Sequence, residues 1–248
     1  MNKKCFILGV PINIVSLRSL TSYLIKSSKS SKRLYICLVN VHMIVTSKKN
    51  ILLKKAMNSA SFLISDGMPL VWEMKRKGYK DMKRISGTEL LIELCAEAEK
   101  KELSVFFYGG SQSTIVKLKK NLNDRFEKLK IVGMESPPPL PIMPIIDNNV
   151  IERINRNKPA FVFIGLGCPK QELWMQAYSP HIKSTLLGVG AAFDFISGNS
   201  LRAPIWMQKS GLEWAHRLYN NPKRLWKRYL VTNTLFICYW LLERIMRK

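Results

Sequence analysis

The chain has 248 residues, 47% of them hydrophobic, and 40 Lys and Arg against 17 Asp and Glu, a formal net charge of +23. Such a length buries a substantial core and suits one large α/β domain with a small appendage, while the charge asks for an anionic partner: nucleic acid, anionic lipid or a phosphorylated substrate. Five cysteines, scattered, odd in number and never in a CxxC pair, exclude a disulfide framework and a zinc site and predict a reducing, cytoplasmic setting.

At the N-terminus, MNKKCFILGVPINIVSLRSL opens with two lysines and a short apolar stretch but lacks a small-residue cleavage site. It reads as a first strand entering a helix rather than as a signal peptide. Six apolar runs follow, at 35–41, 60–65, 104–110, 129–134, 160–167 and 184–193. They are rich in Val, Ile and Phe and alternate with helical patterns such as GTELLIELCAEAEKKE. That predicts buried parallel strands with helical crossovers, a Rossmann-like α/β sheet. In such a sheet ligands gather beyond the carboxyl ends of the strands, so the residues closing each run are the site candidates.

Residues 1–65 hold eleven Lys and Arg and no carboxylate; Asp66, in SFLISDGMPLVW, closes the second run and is followed by Gly67. The position suits either an acid facing a ligand or the N-cap of a helix that starts near Pro69. GGSQST (109–114) follows a strand and opens a helix, so the backbone at Gly109 and Gly110 can face a phosphate, although the segment matches neither GxGxxG nor a Walker motif. ESPPPLPIMP (135–144) excludes a helix and reads equally as a mobile loop near the site or a stiff connector.

In IGLGCPKQELW (164–174), Gly165 and Gly167 let the backbone come close to a ligand, and Pro169 suits a first helical turn. Lys170, Gln171 and Glu172 then project from a helix N-terminus. Lys170 would balance phosphate charge and Gln171 would hydrogen-bond a base or sugar. The same residues fit an ordinary helix start in which Glu172 complements the dipole. GVGAAFDFISGNSLRAP (188–204) adds Asp194, read as structural, and Arg202, a substrate-binding candidate. No DxD pair occurs, and His42, His181 and His216 lack ligand spacing, so neither a metal nor another cofactor is predicted.

Residues 202–248 hold ten Lys and Arg against two Glu, interleaved with Trp206, Trp214, Trp226 and Trp240. Asn221 and Pro222 mark a helix start, after which Arg224, Lys227 and Arg228 fall on one face. That face reads as solvated or, given the apolar stretch 229–242, as one that meets anionic headgroups or a lipid diphosphate. At about 14 residues the stretch falls short of the ~20 that a spanning helix needs, and it suits lipid or a second subunit. Interleaved aromatics also suit single-stranded nucleic acid, but no RNP, KH or helix-turn-helix signature accompanies them. The expected division is a Rossmann-like core over 1–201 and a basic helical appendage over 202–248.

Seven segments in register carry a resemblance: ISDGMPLVW, KRISGTELL, FFYGGS, FIGLGCPKQELW, GVGAAFDFISG, LRAP, and GLEWAHRL followed by PKRLWKRYLVTN. From ILGVPINIVSL to about residue 236 the sequence resembles the WecG/TagA/CpsF glycosyltransferases. The resemblance implies a metal-independent, inverting enzyme of bacterial cell-surface polysaccharide synthesis. Its members move a sugar, N-acetylmannosaminyl or related, from a UDP donor to a polyprenyl-diphosphate-linked saccharide. The protein would lie peripherally at the inner face of the cytoplasmic membrane and bind no nucleic acid. The resemblance also implies Asp66 as general base with Asn40 near it, Arg84 and Gln171 as substrate contacts, and Arg217, Arg224 and Arg228 as appendage cations. Leu38 departs from a position that is commonly Thr, and MESPPPLP departs from a glycine-rich loop, so the sugar is left open. A basic nucleic-acid-binding module is the alternative reading of charge and aromatics.

Overall fold

A computed structural model describes residues 3–30 and 32–246, at Arg224 by its backbone alone. It opens with a hairpin, β1 (Lys4–Ile7) and β2 (Val10–Asn13), where a single strand was expected. Leu8 and Gly9, between them, take positive φ of 50° and 83°, the left-handed pair whose twist matches a tight two-residue connection. The hairpin forms its own two-stranded sheet.

Helix α1 (Leu17–Ser27) leads to β3 (Tyr35–Val39), α2 (Val41–Lys49), α3 (Ile51–Ser59), β4 (Phe62–Ser65) and α4 (Met68–Arg76). Next come α5 (Gly87–Lys100), β5 (Ser104–Gly109), α6 (Gln112–Arg125), β6 (Lys130–Glu135) and α7 (Asn148–Asn157). The remainder is β7 (Phe161–Gly165), α8 (Lys170–Tyr178), β8 (Thr185–Gly188), α9 (Ala192–Ile196), α10 (Ile205–Lys209), α11 (Glu213–Asn220) and α12 (Pro222–Ile245).

Strands β3 to β8 form one parallel sheet in the order β4-β3-β8-β7-β5-β6, so each apolar run became a strand of the expected Rossmann-like sheet. Successive strand residues point to opposite faces. Ile36, Phe107 and Phe163 therefore pack in one layer with Leu20 of α1 and Leu94 of α5, while Cys37, Phe106 and Val162 pack in the other with Ile44 of α2 and Met175 of α8. Helices on both faces explain why the strands read as unbroken apolar runs. From β3 the chain moves outward to β4, and the strand that joins β3 on its other side is β8. The loops leaving their carboxyl ends diverge, and that opens a crevice.

Helices α10, α11 and α12 lie across this crevice. Leu225 and Phe236 of α12 are buried, and the Trp240 Nε1 donates to Glu73 Oε2 of α4 at 2.9 Å. Glu73 also accepts from Arg76 Nε and Nη2 at 2.8 and 2.7 Å. No helix among the described residues is long and apolar enough to cross a membrane. The proline-rich segment is tied down, since Ser136 Oγ donates to the Gly110 carbonyl and Lys170 Nζ to that of Leu140.

Candidate active site

Two adjoining cavities of about 350 and 120 Å³ open where β3, β4, β7 and β8 end. Asn40, Asp66, Glu213, Arg217 and Arg228 line both. Residues from the first third of the chain thus meet residues near its end.

Asp66 stands one residue past β4, where its amide donates to the Val39 carbonyl at 2.7 Å. Gly67, not Asp66, holds the N-cap position of α4, and no side chain caps it. The carboxyl is therefore left to face the cavities. Burial pushes its pKa up to about 7; Arg84 and Arg217 pull it down, and Glu213 and Glu89 push it up. Asn40, one residue past β3, caps α2 by accepting from the Met43 amide at 3.1 Å, which fixes it on the cavity wall.

Arg84 lines the smaller cavity and is already engaged there. Its Nη1 pairs with Glu213 Oε2, and its Nη2 donates to Gln208 Oε1 at 3.0 Å and lies 3.8 Å from Glu89 Oε1. The guanidinium thereby ties α10 and α11 to the start of α5. Arg202 lines the larger cavity and donates from Nη2 to Ser86 Oγ at 3.1 Å and Glu89 Oε1 at 2.8 Å, the two side chains of the capping box of α5.

Gly165, Gly167, Gln171 and Glu172 also line the larger cavity. Gln171 Oε1 accepts from the Gly190 amide at 2.9 Å and its Nε2 donates to Glu172 Oε1 at 3.0 Å, so this buried side chain braces the loop after β8 against α8. Burial pushes the Glu172 carboxyl up, and its Oε2 has no hydrogen-bond partner among the described residues. Asp194 is on the same wall.

Other expected residues stand elsewhere. Gly109 and Gly110 line neither cavity: Gly109 has φ 126°, and a Cβ there would lie 2.6 Å from the carbonyl carbon of Gly165. Close approach of the strand ends requires that glycine. Lys170 reaches toward the proline-rich segment instead of the crevice. Lys227 lies outside, its ammonium 5.5 Å from the Trp226 ring centroid. Arg217 stands 5.6 Å over the Phe195 ring, on the wall shared with Arg228. The Arg224 side chain lies outside the described residues.

Glu213 enters without having been assigned to the site from sequence, and His42, which follows the end of β3, enters without a role having been assigned to it. Glu213 couples Arg84 to Asp66. His42 lines the smaller cavity, and burial followed by the Arg228 charge pushes its pKa down to about 4, so its imidazole is neutral near pH 7. Among the described residues no cluster of three or more His, Cys, Asp or Glu is placed to hold a metal ion.

A parallel sheet that presents a carboxyl titrating near neutrality among arginines is the frame of an α/β enzyme able to activate a hydroxyl beside an anionic group. The chain belongs to the glycosyl transferase WecG/TagA/CpsF family, whose profile matches residues 5–248, and it is a glycosyltransferase. Of the two readings left by the sequence, enzyme and nucleic-acid module, this decides for the enzyme. It is similar to an N-acetylglucosaminyldiphosphoundecaprenol N-acetyl-beta-D-mannosaminyltransferase of Bacillus subtilis (strain 168), 33% identical over 177 residues. That match covers 70% of this chain and 66%, just under two thirds, of the relative. The protein of the same description from Bacillus spizizenii (strain ATCC 23059 / NRRL B-14472 / W23) is 30% identical over 203 residues, 81% of this chain and 76% of that one.

Proposed function

We propose that the chain transfers an N-acetylmannosaminyl-type sugar from a UDP donor, with inversion and without a metal ion, to a saccharide carried on undecaprenyl diphosphate. The product would serve a cell-surface polysaccharide. The names of the two relatives support the sugar and the acceptor, and the resemblance in sequence supports the donor. The observation that carries the chemistry is Asp66, a carboxyl with a pKa of about 7 where two cavities meet. A carboxylate at its ordinary pKa is a weak base at neutral pH; one near 7 is matched to its task.

In a single displacement, Asp66 takes the proton of the acceptor hydroxyl as that oxygen forms the new bond to the anomeric carbon. The bond from that carbon to the UDP diphosphate breaks on the opposite face. Arg217 and Arg228 meet the negative charge on the two diphosphates, and backbone N–H groups of the Gly165–Gly167 turn assist. A volume of about 350 Å³ beside Gln171 and Gly190 suits the donor, within the range of small-molecule sites. Residues 202–248 form the appendage that completes the site and lies at the inner face of the cytoplasmic membrane. Trp214, Tyr219, Trp226 and Leu230 are exposed there beside the cations.

The test incubates the full chain with UDP-N-acetylmannosamine, other UDP-hexoses and a short-chain lipid-diphosphate N-acetylglucosamine acceptor, with and without a chelator. Transfer that a chelator leaves unchanged, with an inverted anomeric centre in the product, is expected. No transfer from any donor, or undiminished transfer by Asp66→Asn, overturns the mechanism.

A further inference from the structure

The smaller cavity continues into a third, of about 320 Å³, between α4 and α12, the two sharing Val41, Pro69 and Asn233. Beyond those residues the walls are Trp72 from α4 and Phe236, Ile237 and Trp240 from α12. Its charged members neutralise one another: buried Glu73 accepts from Arg76 at 2.8 and 2.7 Å and from the Trp240 N–H at 2.9 Å. Trp72 and Ile237 nonetheless stay 50% and 55% exposed, large apolar side chains left wet along an open slot.

From Asp66 past Arg217 and Arg228 to this slot, the connected cavities run from carboxylate to cations to apolar wall. A sugar on a prenyl diphosphate has the same order of parts: hydroxyl, diphosphate, isoprenoid. We propose that the groove between α4 and α12 seats the isoprenoid units adjoining the acceptor's diphosphate, an inference that rests on the acceptor reading above. A bilayer acyl chain has no diphosphate to place beside the arginines, so the isoprenoid is the occupant that the sequence of surfaces fits.

Isopentenyl diphosphate and farnesyl diphosphate, titrated separately against the full chain below micelle-forming concentrations and without donor, test this. Farnesyl diphosphate is expected to bind at least about tenfold more tightly, since each buried methylene contributes on the order of fourfold. Ile237→Ser, which opens the groove, and Ile237→Trp, which fills it, should each reduce that ratio to about twofold or less. Ile245→Ser changes a 69% exposed residue of the same helix that lies off the groove, and should keep the ratio. Equal affinity of the parent for the two probes overturns the groove. So does an equal loss in Ile237→Ser and Ile245→Ser, which would mean that the exposed helix face alone takes apolar chains. The ratio is read without glycosyl transfer, so a failed groove with transfer intact is told apart from a failed function.

Discussion

At the scale of single residues, Asp66 as the proposed base predicts the pH behaviour. Its carboxyl is raised from 3.8 to about 7 by burial, so kcat/KM is expected to rise with pH through one ionisation near 7. Arg84, Glu213, Arg217 and Glu89 are the charges that face it. Glu213→Gln removes a negative charge that favours the protonated acid and releases Arg84 toward it, and both effects lower the pKa. The inflection should move to lower pH; a pH–rate profile in which it stays fixed would show that Glu213 does not act through Asp66. Asp66→Asn should lower kcat by about 10²–10⁴. Because the folded pKa lies above the ordinary value, ionising Asp66 between pH 3.8 and about 7 weighs against the folded state. The Asn variant should therefore melt higher than the parent at pH 8 and match it near pH 3, measured by thermal denaturation. Asp66 was legible in the sequence because an acid closing an apolar run is a local signal. Glu213 was not, because its meaning depends on Arg84, 129 positions earlier, which only the fold brings to it.

At the scale of elements, the contact of α12 with α4 turns on Trp240 and Glu73. Burial raises the Glu73 carboxyl, but the hydrogen bonds from Arg76 and Trp240 outweigh it and bring the pKa down to about 2. Its stabilising contribution is complete above pH 4.5 and is lost as pH falls through about 2. Trp240→Phe keeps a ring but removes one hydrogen bond to a buried carboxylate, with an expected loss of about 1–3 kcal/mol in chemical denaturation at pH 7. Gly109→Ala drives a methyl into the Gly165 backbone and should cost a further measurable amount, about 1–3 kcal/mol. The inner sheet strands were legible because burial on both faces leaves mostly apolar residues, and the edge strand β6 by its apolar centre between Lys130 and Glu135. The hairpin was not: CFILGVPIN reads as one run, and the turn inside it depends on Leu8 adopting a positive φ that leucine rarely takes. The glycines of GGSQST stand at a strand end as expected, and at Gly109 the close approach of the Gly165 backbone is by itself reason for a glycine, which spacing does not distinguish from phosphate binding.

At the scale of the whole molecule, +23 on 248 residues implies long-range attraction to an anionic surface. Retention on vesicles containing anionic lipid is expected at low salt and should fall steeply toward 1 M, as the screening length contracts from about 10 Å at 0.1 M to about 3 Å. Flotation of vesicles across a salt series checks it, and retention indifferent to salt would assign binding to the apolar face of α12 instead. The charge excess of residues 202–248 was plain in the sequence. That the same segment turns Glu213, Arg217 and Arg228 inward was not, because a helix carrying cations on several sides does not declare which of them the fold will enclose.

The meeting of early and late residues in one crevice also sets when the protein begins to work. A ribosome delivers Asn40, Asp66 and Arg84 long before the helices that bear Glu213, Arg217 and Arg228. A nascent chain therefore carries its carboxylate without the groups that tune it and without the cations proposed to meet the diphosphate. The cleft is complete only once α11 and α12 have been made, and a chain that stops before Glu213 has the sheet without that wall.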